Sequence, residues 1–83
     1  TSAANAAPRQ QARDFYAKAK IAAERALRLD ANLAEGYAAR GFIRRNGEWD
    51  WRGAEQDFRR AVELKPNEAR TRVRFAHLLA QLG

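Results

Sequence analysis

The amino-acid sequence repeats itself at a shift of 35 residues. The shift aligns identical residues and also superimposes the apolar positions of two segments. The matched pairs include Ala19 with Ala54, Arg25 with Arg60, Ala26 with Ala61, Leu29 with Leu64 and Asn32 with Asn67. Repeats of roughly 20–50 residues are typical of stacked architectures, because one unit can bury its apolar face only against its neighbours. The repeat therefore predicts a short stack of similar units.

Apolar residues within the repeat recur at spacings of three and four, which is the period of an amphipathic helix. The clearest stripe consists of Trp51, Ala54, Phe58, Ala61 and Val62, and the opposite face consists of Glu55, Gln56, Arg59, Arg60 and Glu63. Pro66 ends this helix, since proline lacks an amide donor and restricts the residue before it. The same pattern along the chain predicts four helices, over residues 10–29, 34–46, 50–64 and 68–82, joined by short turns.

The domain organisation follows from these helices. Residues 1–8 are rich in Ser, Ala and Asn, and we expect them to be an unstructured stretch or a cloning remnant. Residues 9–83 are expected to form one helical domain. It would contain a partial repeat over 9–33, a full repeat over 34–67 and the first helix of a further repeat over 68–83. The sequence thus looks like a piece of a longer chain.

Composition limits the function classes. The chain has no cysteine, so neither disulfides nor thiolate metal sites are expected. It has no run of about 18 apolar residues and no signal-peptide pattern, which predicts no membrane association and a cytoplasmic location. No phosphate loop, metal-ligand spacing or catalytic set appears, and His77 is the only histidine. We expect no enzyme, no metal and no cofactor.

The formal net charge is +6, and arginine supplies 13 of the 16 basic residues. A positive potential of this kind favours acidic segments, carboxylates or phosphates as partners, without choosing among them.

Small and aromatic residues stand at fixed positions between residues 34 and 67. An aromatic residue lies early in the first helix, and a small residue follows one turn later. A turn glycine, a second helix with small residues and a Pro-Asn stop come next. These residues are Tyr37, Gly41, Gly47, Trp51, Ala54, Phe58, Ala61 and Pro66. In this order the segment resembles the tetratricopeptide repeat (TPR), and the likeness extends over about residues 10–83. The resemblance implies an all-α fold of antiparallel helix-turn-helix repeats, stacked as a short solenoid of about four helices.

Two features depart from the family pattern. One residue more than usual separates Gly41 from Ala54, which predicts a longer turn around residues 46–49. Arg40 and Arg44 stand where the family commonly has apolar packing residues. In addition, residues 50–61 are similar to bacterial TPR segments attached to winged-helix regulators or nucleotide cyclases. That likeness implies a regulatory fragment of a bacterial protein.

In TPR proteins the first helix of each pair lines a concave groove that holds a protein or peptide. The groove residues that the resemblance implies are Glu35, Ala38, Phe42, Arg45, Asn46, Arg70, Val73, His77 and Gln81. Arg45 and Arg70 could hold a carboxylate of an acidic partner in bidentate fashion. Phe42, Val73 and His77 replace the residues with which some family members clamp chaperone tails, so we do not expect that partner.

The sequence is also compatible with other functions. The arginines Arg40, Arg44, Arg45, Arg70, Arg72 and Arg74 could contact the phosphates of a nucleic acid, although frequent arginine alone explains the cluster better. The repeats could also serve as a structural spacer or an assembly surface. The last helix presents Phe75, Leu78, Leu79 and Leu82, and if no further helix covers them, we expect self-association as a homodimer. We expect Trp51 to be a core residue and Trp49 to be partly exposed.

Overall fold

Four α-helices make up the part of the chain that the computed structural model describes, residues 7–83. They are α1 (Pro8–Leu29), α2 (Ala34–Asn46), α3 (Trp51–Leu64) and α4 (Ala69–Leu82). Each helix packs against the next along the chain, and each connection has four residues. No strand occurs in residues 7–83. The predicted fold class, a short stack of helical repeats, is confirmed.

The predicted helix bounds differ from the observed ones by at most two residues. Helix α1 begins at Pro8, earlier than expected, because proline lacks only an amide that would have no partner in a first turn. Asp50 and Glu68 are the N-cap residues of α3 and α4 and therefore lie just outside those helices. Of the stretch 1–8 that we expected to be unstructured, residues 1–6 lie outside the described residues.

The 35-residue repeat recurs in the backbone hydrogen bonds of the two equivalent turns. The Asp30 amide donates to the Ala26 carbonyl at 2.9 Å, and the Lys65 amide donates to the Ala61 carbonyl at 2.9 Å. The carbonyls of Asp30 and Lys65 then each accept a bond of 3.2 Å from the amide three residues later. Helix ends of identical hydrogen bonding therefore occur one repeat apart, as the sequence alignment predicts.

The first of these turns keeps this geometry without proline. Where the second turn has Pro66, the first has Ala31, and there the Asp30 carboxylate accepts a hydrogen bond of 3.0 Å from the Asn32 amide. Aspartate side chains stabilise turns in this way by satisfying an amide two residues on. Local side-chain chemistry thus replaces the proline stop.

The core lies between α3 and its two neighbours. Ala54, Phe58 and Leu78 are fully or almost fully buried there. Phe42, Trp51, Phe75 and Leu82 pack around them and are partly buried. The assignment of Trp51 to the core is confirmed, whereas Trp49 is 77% exposed.

The apolar edge expected on the last helix is smaller than predicted. Leu78 is fully buried, and Phe75 and Leu82 pack against the core on the α3 side of α4. Only Leu79 of the four residues, with 40% exposure, counts as exposed. The prediction of a four-residue edge was wrong for Leu78, because it assigned both sides of α4 to one face.

Small residues allow α2 and α3 to lie close together. A Cβ atom at Gly41 would lie 3.2 Å from Asp57 Cβ and 3.3 Å from the Phe58 ring. Even an alanine at this position would require its neighbours on α3 to shift by a few tenths of an ångström. Within residues 7–83, no helix is both long and apolar enough to cross a membrane.

Candidate functional site

A buried carboxylate joins α2 to α3 behind the candidate site. Asp57 is 3% exposed and accepts hydrogen bonds from two guanidinium groups. Arg40 donates to it through Nε at 3.1 Å and Nη2 at 2.9 Å, and Arg44 donates through Nη1 at 3.1 Å. The hydrogen bond with Asp57 raises the pKa of Arg40 above its ordinary value. The network explains why arginines occupy positions where apolar residues were expected.

Asp57 is not among the predicted site residues, although the sequence contains a signal for it. Asp57 lies three residues after Ala54 and four before Ala61, which places it on the buried side of α3. A carboxylate buried there needs a cationic partner, because unpaired charge in an apolar environment is costly. Arg40 and Arg44, four residues apart on α2, are the natural partners.

Two adjoining cavities lie between α2 and α4. The first is lined by Ala34, Glu35, Ala38, Ala39, Ala61, Lys65, Glu68, Arg70, Thr71 and Arg74 and has a volume of about 250 Å³. The second is lined by Phe42, Arg45, Asn46, Phe58, Arg74 and His77 and has a volume of about 180 Å³. Arg74 borders both, so they form one continuous surface, which we name the α2–α4 groove. Small-molecule sites usually have volumes of roughly 300–1,000 Å³, and each of these cavities is smaller. Their size suits individual side chains of a partner.

The α4 wall of the groove carries cations without acidic partners. Arg70 forms no ion pair with any of the described residues, and the Arg74 guanidinium lies 4.9 Å from the ring centroid of Phe42. A guanidinium over an aromatic face keeps hydrogen-bond donors free for another group. The wall is therefore positive and has unused donor capacity.

The α2 wall is more fully paired. Arg45 donates through Nε to the Gln81 side-chain oxygen at 3.0 Å and through Nη1 to Asn46 at 3.2 Å. At the other end, Lys65 hydrogen-bonds Glu35, and this bond is the main cause of the lowered pKa of Glu35. Arg45 and Glu35 thus already have partners within the chain.

Seven of the predicted groove residues line the two cavities, namely Glu35, Ala38, Phe42, Arg45, Asn46, Arg70 and His77. Gln81 lies at the end of the groove, where its side-chain oxygen accepts a hydrogen bond from Arg45. Val73 lies elsewhere, with Ala69, Arg72 and Ala76 around a separate depression. Arg74, which was not among the predicted groove residues, lines both cavities instead. Its spacing from Arg70 and His77, four and three residues, places all three on one face of α4.

The six arginines that suggested a phosphate-binding cluster do not share one surface. Arg40 and Arg44 hydrogen-bond Asp57, and Arg45 bonds Gln81. Arg72 lies on the side of α4 away from the groove cavities. Arg45, Arg70 and Arg74 line the groove cavities, and of these Arg70 and Arg74 lie on the α4 wall without an ion pair among residues 7–83. No group of three or more His, Cys, Asp or Glu within residues 7–83 is placed to hold a metal ion.

Comparisons with protein-family models, curated proteins and solved structures give no match to this chain. The TPR assignment therefore stays a prediction that rests on the residues quoted above.

Proposed function

We propose that this chain is a TPR-like protein-interaction module that binds an acidic peptide segment in the α2–α4 groove. The observation that carries the proposal is the pair Arg70 and Arg74, four residues apart on the groove wall and without carboxylate partners among the described residues. An acidic side chain or a chain terminus would supply the missing carboxylates. In this proposal the module acts by binding and not by catalysis, in the bacterial cytoplasm, as part of a regulatory protein.

The shape and composition of the groove favour a peptide over a nucleic acid. Phe42 and Ala38 provide apolar surface between the cations, which suits alternating apolar and acidic side chains. A polyanion requires a long row of free cations. Here Arg40, Arg44 and Arg45 already form hydrogen bonds within the chain, which leaves a short row of cations for a polyanion to contact.

A random peptide library displayed on phage would test the proposal. We expect selection on the wild-type chain to enrich sequences with acidic and apolar residues. The Arg70→Glu/Arg74→Glu variant should lose them, since it reverses the charge of the wall at two exposed positions of α4. Lys18→Glu/Arg25→Glu is the matched control, because it changes the net charge equally at exposed positions of α1.

The outcomes separate the proposal from its alternative. Enrichment that the control retains and the groove variant loses supports peptide binding at the groove. Equal loss in both variants would indicate non-specific charge attraction. Tight binding of an oligothymidylate, with steep weakening as salt rises, would favour a nucleic-acid module instead.

A further inference from the structure

The connection between α2 and α3 presents a tryptophan in an unusual conformation. Trp49 has a φ of 57°, and it is the only residue other than glycine with a positive φ in the described part of the chain. Bulky L-residues rarely adopt this left-handed conformation. The side chain is also 77% exposed, so burial of the indole does not compensate. Residues with an unfavourable backbone conformation and an exposed side chain occur preferentially at functional sites.

The backbone and a second indole hold Trp49 in place. The Gly47 amide donates to the Ile43 carbonyl, and the Asp50 amide to the Arg44 carbonyl, both at 2.7 Å. The indole of Trp49 stacks on that of Trp51, with centroids 6.5 Å apart and planes inclined by 21°. Because Trp51 packs against the core, the exposed indole is fixed to a rigid part of the fold.

Two basic depressions border the indole. One lies towards α1 and includes Arg9, Arg13 and Tyr16 in its lining, and the other includes Arg45 and Trp51. None of the described residues that line them is acidic.

Local acidic residues do not neutralise this surface. Arg9 and Arg13 form no ion pair within residues 7–83. Glu48, next to Trp49 in the sequence, pairs instead with Lys20 at 2.7 Å. The surface around the indole therefore combines one exposed aromatic face with unpaired positive charge.

We infer that Trp49 and these depressions form a second docking site, the Trp49 platform, for an acidic protein segment. One apolar side chain of the segment packs on the indole, and neighbouring carboxylates meet Arg9 and Arg13. Exposed tryptophans flanked by arginines are typical anchors of protein interfaces. A single-stranded nucleic acid fits less well, because such ligands stack successive bases on several aromatics and Trp51 already covers one face of Trp49. The platform shares Arg45 and Asn46 with the α2–α4 groove, but Arg9, Arg13 and Trp49 line neither groove cavity.

A blocked peptide, acetyl-Asp-Glu-Phe-Glu-Asp-amide with a fluorescent label, is the probe. Fluorescence anisotropy should detect its binding to the wild-type chain. Trp49→Asn removes the indole and suits the left-handed backbone, since asparagine tolerates this conformation. We expect this variant, and separately Arg9→Glu/Arg13→Glu, to weaken binding by about tenfold or more. Replacing phenylalanine by alanine in the probe should weaken binding similarly.

Two further variants make the test specific. Lys18→Glu/Arg25→Glu carries the same charge change as the arginine variant and should alter the affinity less than about twofold, since exposed distant charges are screened by salt. The sequence has two tryptophans, so Trp51→Phe leaves Trp49 as the single one. The tryptophan fluorescence emission of this variant should therefore shift when the probe binds.

Three results would overturn the platform. They are unchanged affinity in Trp49→Asn with a normal circular dichroism spectrum, tighter binding of an oligothymidylate than of the probe, or an equal loss of affinity in Arg70→Glu/Arg74→Glu. The last result would assign the probe to the groove and leave the proposed function standing.

Discussion

Replacing Asp57 by alanine tests whether the buried carboxylate holds α2 and α3 together. The change leaves the guanidinium groups of Arg40 and Arg44 without their shared anion, in a part of the structure where each retains 22% side-chain exposure. Removing one partner of a fully buried ion pair costs about 3–5 kcal/mol. Because these arginines can partly rehydrate, we expect a loss of about 2–3 kcal/mol.

The loss is measurable against the stability of a chain of this size. Domains have roughly 0.05–0.15 kcal/mol of stability per residue, which corresponds to about 4–12 kcal/mol here. With a urea m-value of about 1 kcal/mol/M, the unfolding midpoint of Asp57→Ala should fall by about 2–3 M. Circular dichroism at increasing urea concentration would measure it, because all four described elements are helices.

Two comparisons decide whether the reasoning holds. Glu63→Ala removes an exposed ion pair with Arg60 at 3.5 Å and should cost no more than about 0.5 kcal/mol. Arg40→Leu/Arg44→Leu/Asp57→Leu removes all three charges and should recover most of the loss, since apolar replacement of buried ion pairs is often neutral or stabilising. An Asp57→Ala cost as small as that of Glu63→Ala would refute the structural role of the network.

Further predictions concern the turns and one exposed ion pair. Gly47→Ala should lower the unfolding free energy by about 1–3 kcal/mol, since its Cβ would lie 2.9 Å from a backbone carbonyl of α2. Gly36→Ala, whose Cβ would lie 2.8 Å from Leu27 Cδ2 and 2.9 Å from Leu27 Cγ, should lower the unfolding free energy less in the same urea titration, since a leucine side chain and not the backbone must shift. Asp50→Ala should cost about 0.5–2 kcal/mol, because the first turn of α3 loses its cap, whereas Asp50→Asn should retain most of it. Lys65→Ala should raise the pKa of Glu35 in an NMR titration, because the Lys65 hydrogen bond lowers it. The contribution of Glu35 to stability is accordingly present above its ordinary pKa and lost as pH falls through the lowered one.

Helix positions were predictable because their signals are local. The three- and four-residue spacing of Trp51, Ala54 and Phe58 defines an apolar stripe that a helix alone can bring to one side. Turn residues such as Pro66 and the pair Gly47 and Asp50 then mark where a helix ends and the next begins, and they can be recognised in the sequence. On the polar face of the same helix, Glu55 and Arg59 are four residues apart, and they form an ion pair at 3.0 Å. Arg59 and Glu63 have the same spacing, but Glu63 pairs with Arg60 instead.

The sequence by itself determined the elements, their order and the repeat, since these depend on neighbours a few residues apart. Only the tertiary structure decided which side of α4 is covered, so that Leu78 is buried while Val73 stays 55% exposed outside the groove. It also decided that Arg40 and Arg44 meet Asp57, while Arg70 and Arg74 form no ion pair with any of residues 7–83. Whether a charged side chain finds a partner depends on residues that the fold brings together from different helices. The spacing of residues along a single helix does not give the distance between groups on two helices.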